Sequence, residues 1–485
     1  MVEFKHFING EYTKGSSGRT FENINPCDGS VVGIVHEGGE AEVDAACTAA
    51  RAALSGPWGT MPQNERLDMV AAVADRIQAR SDDFLAAEVA DTGKPLGMAS
   101  AIDIPRGAAN FRIFADVVRN VPTESFVMDT ADGRGAVNYA VRGPKGVVGV
   151  IAPWNLPLLL MTWKVGPALA CGNTVVVKPS EETPGTTTLL GEVMNEVGLP
   201  PGVFNVVHGK GPQSAGEYIT RHAEVDALTF TGETRTGSTI MKACADRIAD
   251  VSFELGGKNP GIIFEDADLD EAVAIAMRSC FANCGQVCLG TERLYVHRSI
   301  FEAFVAKLAA GAAALKMGPP ESGSNFGPLI SQEHRRKVLN YFERAVSDGA
   351  TVVTGGGVPD VGQAYRGGSW IQPTIWTGLS EDSAVIREEV FGPCTHVQPF
   401  DTEEEAIAMA NDTTYGLAAM VCTRDVKRAH RVARRLEAGL VWVNEWFLRD
   451  LRTPFGGSKR SGIGREGGVH SLEFYTELRN ICIKL

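Results

Sequence analysis

Cysteine, histidine and basic side chains are all scarce in this chain of 485 residues, and each scarcity removes a class of function. Ten cysteines are too few for a disulfide framework at this length, and none forms a CxxC pair. The nine histidines include no HxxxH, so no metal site is expected. Cys280, Cys284 and Cys288 recur every four residues, which on a helix would put three thiols on one face, but zinc calls for tighter pairs or a histidine. With 46 Lys and Arg against 59 Asp and Glu the net charge is −13, which argues against nucleic acid or a membrane surface as partner, since both select a basic face. The longest uncharged stretch, 146–163, is interrupted by Pro153, Asn155 and Pro157 and reads as strand, turn and helix rather than a membrane span. The opening MVEFKHFING lacks the apolar core of a signal peptide, so reduced thiols and a cytoplasmic location are expected. Glycine is plentiful, at 54 residues, but without a fixed period, which excludes collagen-like and solenoid architectures. The remaining partner is a small molecule.

At roughly 100–200 residues per domain the length suggests two to four domains. From Val147 to Leu255 short β-branched runs alternate with longer amphipathic ones: VVGVI, TVVVK, VFNVV, DALTF and VSFEL are separated by helical patterns. Strands buried on both faces read as continuous apolar runs, so this is a parallel sheet flanked by helices, the α/β architecture that binds dinucleotides at the carboxyl ends of its strands. Upstream, Glu40 to about Val118 is Ala-rich and helical. A second α/β alternation, through GIIFE, RLYVH, TVVTG, HVQPF and LAAMVC, begins near Lys258 and ends near Phe455. Between helices and first sheet, Phe126–Val141 centres on Asp132-Gly133 and carries the alternating AVNYAV, a hairpin signature. The expected organisation is a Rossmann-like nucleotide domain at 1–125 and 143–257 and a catalytic domain at 258–456. A small β oligomerisation module at 126–142 and 470–485 completes it, with ICIKL as edge strand.

Five segments carry chemistry. Cys288, in FANCGQVCLG between Gly285 and Gly290, suits an exposed thiol at a turn, although a packed cysteine reads the same way; Cys280 and Cys284 fit packing on the preceding helix. Glu254, before the two glycines of ELGGK, ends a buried strand and is either a strand-end carboxylate reaching water or a general base with a raised pKa. Asn155 in PWNLP is either an oxyanion donor or an ordinary helix cap. Lys178 and Glu181 in VVVKPSE suit ribose hydroxyls, and FTGETRTG places Gly232 and Gly237 where a helix opens, a setting that favours a pyrophosphate.

Taken in order, PWNLP, KPSE, FTGETRTG, ELGGK, NCGQVCLG, EEVFGP and PFGGSKRSGIGREGG resemble the aldehyde dehydrogenase superfamily over essentially the whole chain. DIPRGAANFR and WFLRDLRTPFGG look like its branch acting on 2-hydroxy- and 2-aminomuconic semialdehydes, intermediates of aromatic meta-cleavage. The resemblance implies Cys288 as nucleophile, Glu254 as general base, and Asn155 with the backbone N–H of Cys288 as oxyanion donors. It further implies that Trp154, Lys178, Glu181, Phe230, Thr231, Gly232, Gly237, Glu389 and Phe391 hold NAD. A carboxylate at Glu181 accepts from both ribose hydroxyls and repels a 2′-phosphate, so NAD is expected over NADP. A water-activating Glu254 argues for hydrolysis of the acyl-enzyme rather than transfer to CoA or phosphate. The family turn often reads GSTxxG; here Glu233 replaces the first Ser and is expected to face solvent.

Substrate choice rests on Arg106, Arg449 and Arg452. Most arginines are solvated or paired, and Asp103 and Asp450 are close in sequence, yet the loop before PFGG lines the substrate tunnel in this superfamily. Arg106 and Arg449 are the expected carboxylate clamp, with Arg452 in reserve. The rival expectations are the 2-amino substrate, or a broad aliphatic or betaine-type aldehyde. A homodimer or homotetramer is expected.

Overall fold

The computed structural model describes residues 2–485. The first sheet has eight strands, of which five are parallel: Val147–Ile151, Thr174–Lys178, Phe204–Val206, Ala227–Thr231 and Asp250–Glu254. Every residue of the first four of these is buried, as their uninterrupted apolar sequences require when helices cover both faces. Counted along the chain their spatial order is 3-2-1-4-5, so the direction of winding reverses between Val147–Ile151 and Ala227–Thr231. That reversal opens a crevice at the carboxyl ends of the two strands, the place where doubly wound sheets bind nucleotides. The first strand leads into PWNLP and the fourth into FTGETRTG, so both motifs flank the crevice.

The second sheet has seven strands, six of them parallel, with Asn259–Ile263 and Thr291–His297 adjacent at its centre. Two of its strands, Thr374–Thr377 and Leu440–Val443, are not among the strands expected from the sequence. The N-terminal region also differs from that reading. His6–Ile8 and Glu11–Thr13 extend the first sheet at one edge, and three further short strands form a separate sheet.

The antiparallel pair Ser125–Met128 and Ala136–Pro144 is joined by the C-terminal strand Thr476–Lys484, which pairs with Ala136–Pro144 along its full length. This third β layer begins at Thr476 and not at 470, because the helix Gly468–Tyr475 packs on the helices Ile104–Asn120 and Pro157–Ala170 instead. Just upstream, Gly462–Ile463 pairs antiparallel with Phe253 and Glu254, which returns the chain to the first sheet beside the end of its fifth strand. Among the described residues no helix is long and apolar enough to cross a membrane.

Candidate active site

The helix Leu269–Phe281 stops before the cysteine loop because Asn283 (φ 48°), Cys284 (φ 57°) and Gly285 (φ 71°) are all left-handed. At Gly285 a Cβ would stand 2.0 Å from the Gly392 carbonyl oxygen, so only glycine fits. The three-thiol helical face expected from the spacing therefore does not form. Cys280 is packed in the core, the Cys284 thiol donates to the Gly327 carbonyl at 2.9 Å, and Cys288 alone of the three is partly exposed. Asn259 Nδ2 donates to the carbonyls of Cys288 (2.7 Å) and Gly290 (2.8 Å), and Trp446 Nε1 to that of Leu289 (2.9 Å), fixing the loop from the second sheet. Burial, then the charges of Glu254 and Glu389, push the Cys288 thiol up to about 12, against the pull of the Cys288 and Leu289 amides. The thiol is protonated at neutral pH and needs a base to become a nucleophile.

Glu254 ends the fifth strand, buried, with neither carboxylate oxygen hydrogen-bonded to protein. Burial and the neighbouring Glu466 raise its pKa well above the ordinary carboxylate value, while Lys164 and Arg449 oppose the rise. Lys164 and Glu466 form a buried ion pair at 2.7 Å, with Lys164 also donating to Thr229 Oγ1 at 2.9 Å. Sequence reasoning missed this pair, although a single Lys in the otherwise apolar PLLLMTWKVGPALA was a signal. A carboxyl whose proton affinity is raised by burial, yet within reach of a cation, is suited to proton transfer.

Asn155 does not cap the following helix, where Leu156 occupies that position. Its side chain is buried and Nδ2 donates to the Gln286 carbonyl at 3.0 Å, two residues before the nucleophile. One of its two N–H groups is committed there, and the amide as a whole is fixed against the cysteine loop.

The residues expected to hold a dinucleotide gather at the crevice. Lys178 is buried at the end of the second strand, donating to Pro179 O and to Glu181 at 3.1 Å. Burial disfavours the Glu181 carboxylate, but Lys178 outweighs it and holds the pKa below its ordinary value, leaving an anion for hydroxyl donors. Phe230 and Thr231 end the fourth strand; at Gly232 a Cβ would meet the Phe230 ring at 2.4 Å, and at Gly237 it would meet Leu255 at 2.7 Å. The two glycines thus sit where no side chain fits, around the start of the helix Thr234–Ala245. Glu233 is the N-cap residue of that helix, exposed, 3.5 Å from Arg235 and without a side-chain cap bond. Glu389 accepts from the Gly257 amide at 2.9 Å, and burial followed by Glu292 pushes its pKa up to about 8. The double glycine of ELGGK permits this approach, since a Cβ on Gly256 would lie 2.1 Å from Glu389 Oε2. Phe391, at φ 58°, stands edge-on to Trp154 at 5.4 Å between ring centroids. Its amide and that of Val390 both donate to Glu292, which is itself paired with buried Lys258.

The three arginines separate sharply. Arg452 is exposed and makes a local ion pair with Asp450, at 2.6 Å to Oδ2. Arg449 lies between two aromatic faces, its guanidinium carbon 4.2 Å from the centre of Trp163 and 3.8 Å from that of Phe455. Its Nε and Nη2 are buried without hydrogen-bond partners, as is Nε of Arg106. Burial, and next the positive charge of Arg106, depress the pKa of Arg449, while Glu466, Glu254 and Cys288 oppose this; the two arginines are neighbours and the catalytic candidates are within electrostatic reach. A guanidinium resting on π faces keeps its charge and its donors free, where an ion pair would have consumed them. Arg449, with Arg106 as its neighbour, thus holds unpaired donors within electrostatic reach of Cys288 and Glu254.

Residues 12–481 match the model of the aldehyde dehydrogenase family. The chain is 67% identical to 2-hydroxymuconic semialdehyde dehydrogenase of Pseudomonas sp. (strain CF600), covering 100% of both chains. It is 56% identical to a 2-aminomuconic 6-semialdehyde dehydrogenase of Pseudomonas sp., covering 100% of this chain and 99% of that one. Among solved structures it superposes on the NAD+ complex of a Bacillus cereus aldehyde dehydrogenase with a TM-score of 0.96 at 41% identity, over 100% of this chain and 97% of the other.

Proposed function

The chain belongs to the aldehyde dehydrogenase family, and on that premise we propose that it oxidises 2-hydroxymuconic semialdehyde to 2-hydroxymuconate with NAD, a step of aromatic meta-cleavage catabolism. The observation that carries this reading is the unpaired Arg449, next to Arg106 and within electrostatic reach of Cys288 and Glu254, because a substrate with a carboxylate remote from its aldehyde needs both ends met at once. The 2-amino analogue is the second reading, favoured by the 56% identical relative; the two substrates differ in one heteroatom.

Cys288 Sγ attacks the aldehyde carbon while its proton passes to Glu254, the charge that most strongly disfavours the thiolate. The oxygen of the resulting thiohemiacetal accepts from the free Asn155 Nδ2 hydrogen and from the Cys288 amide. Bound in the crevice by Lys178, Glu181, the turn from Thr231 to Gly237, Glu389, Phe391 and Trp154, NAD supplies the hydride acceptor. Glu254 gives that proton up to solvent once the thioester has formed and then takes a proton from the water that cleaves the acyl–Cys288 bond; burial raises its pKa, and the Lys164–Glu466 pair adjusts it.

The ten free cysteines, and a chemistry that needs one of them reduced, fit the cytoplasm. Ser125–Met128 and Thr476–Lys484 are the two edges of the three-stranded sheet, and the former exposes Phe126, Val127 and Met128. An apolar edge of this kind pairs with a second copy, giving a homodimer or homotetramer built on the β layer. Sedimentation of Val127→Lys should show a smaller assembly than the parent; an unchanged mass would remove the β layer from the interface.

The decisive test of substrate class is kcat/KM on a carboxylated semialdehyde and on a neutral aldehyde of similar length. Arg449→Gln and Arg106→Gln should each lose about 100-fold on the carboxylated substrate and less than about threefold on the neutral one. Arg452→Ala, whose charge is spent on Asp450, should lose less than about twofold on either. Equal losses on both substrates would sink the clamp.

A further inference from the structure

Behind the oxyanion turn lies a charged cluster that the chemistry above does not use. Lys94 is buried, with Nζ 2.6 Å from Asp103 Oδ2 and 3.2 Å from Glu88 Oε1, and both carboxylates are fully buried. The third donor of the same ammonium goes to the main-chain carbonyl of Asn155 at 3.1 Å. The other oxygen of Glu88 accepts from the Leu158 amide at 3.3 Å, three residues further along. Asn283, from the left-handed turn before the nucleophile, gives Asn155 O a second donor at 2.9 Å.

The turn that receives these bonds cannot anchor itself. Pro153 and Pro157 have no amide hydrogens, and the helix after the turn starts only at Pro157, so the backbone at Asn155 lies outside any ladder. A buried trio of charges is an expensive way to gain stability, because apolar side chains of equal volume commonly do as well or better. What charge supplies here is direction: three donors from one ammonium, spent on two fixed carboxylates and one carbonyl.

We propose that Lys94, held by Glu88 and Asp103, is a positioning residue that fixes the Asn155 main chain and thereby aims the Asn155 amide at the oxyanion. This inference rests on the reading of Asn155 as oxyanion donor. It predicts that the cluster acts on the chemical step alone and only through Asn155.

The test is the single-turnover rate of NADH formation from a neutral aldehyde, so that Arg106, three residues beyond Asp103, does not enter. Lys94→Met should slow this rate about tenfold, the scale on which small misplacements of a preorganised donor are felt. The dissociation constant of NADH and the alkylation rate of Cys288 by iodoacetamide should stay within about twofold. In the Asn155→Ala background the same substitution should cost less than about twofold more. Because Lys94→Met leaves two carboxylates without a cation, Lys94→Met/Asp103→Asn and Glu88→Gln provide better-tolerated versions, with the same selectivity expected and a smaller loss for Glu88→Gln. A full loss that persists on top of Asn155→Ala, or equal damage to NADH binding, would show a general structural role and overturn the inference. No slowing in any of the three variants would overturn it as well. An Asn155→Ala enzyme with an unchanged rate would instead overturn the oxyanion reading, and the role of Lys94 would fall with it.

Discussion

Two buried cationic regions border the reacting thiol, and they treat charge in opposite ways. The two lysines are answered directly: Lys94, beside Asn155, meets Glu88 and Asp103, and Lys164 meets Glu466. The two arginines are not: Arg449 and Arg106 keep buried nitrogens without hydrogen-bond partners, and for Arg449 aromatic rings take the place of a directly paired carboxylate. Burying an unanswered charge is costly, so it persists only where something repays it. A paired cation holds the protein's own main chain or tunes a neighbour's proton affinity, whereas an unpaired one is kept for a ligand. On the proposed reading the contrast accounts for an anion site in a chain of net charge −13: net charge governs approach from a distance, and unpaired guanidiniums would govern the last few ångströms.

The paired side of this comparison breaks most severely at Glu254. Glu254→Gln removes the base for both thiol activation and thioester hydrolysis, so the first turnover of NADH should slow and steady-state turnover should fall about 1,000-fold. A first turnover at the parental rate with slow steady state would confine Glu254 to thioester hydrolysis. The pH dependence sharpens the same point. The proposed working form is the deprotonated carboxylate, and its pKa is raised by burial and Glu466, so the rate should still climb with pH above the ordinary carboxylate range. Removing negative charge in Glu466→Gln should lower that pKa and move the acid limb to lower pH. Removing the opposing positive charge in Lys164→Met should move it to higher pH. Limbs that stay in place in both variants would mean that the pair does not tune the base.

Much of this arrangement was legible in the sequence, and the remainder was hidden for identifiable reasons. The first sheet showed itself because strands buried on both faces leave unbroken apolar runs, as VVGVI and TVVVK do. The motifs at the ends of those strands then implied the crevice. Partners far apart in the chain left no such trace: Lys164 and Glu466 are 302 positions apart, and Lys94 reaches Asn155 across 61. The arginines illustrate the limit most clearly. Arg449 and Arg452 are three residues apart in the same loop, one and two positions from Asp450, and nothing in LRDLR says which one Asp450 pairs with. Packing decides it, because only Arg449 finds Trp163 and Phe455. The spacing of Cys280, Cys284 and Cys288 misled in the other direction, since a helical period is meaningful only while the helix lasts and this one ends at Phe281.

The unpaired side breaks more gently, and at a different kinetic constant. If the π faces of Trp163 and Phe455 hold Arg449 in place of a carboxylate, Phe455→Leu keeps an apolar wall but removes one face. A desolvated cation–π contact of about 1 kcal/mol corresponds to roughly fivefold in affinity. KM for a carboxylated semialdehyde should therefore rise about fivefold, with kcat little changed, and a neutral aldehyde should show neither effect. Trp163→Leu should do the same and, because both rings touch one guanidinium, the double variant should lose less than the product of the single losses. In an Arg449→Gln background neither substitution should shift the ratio between the two substrates. If Phe455→Leu weakened both substrates alike, the ring would be packing the pocket and not presenting the arginine. The unpaired charge would then have to be explained by Arg106 and the approach of the substrate alone.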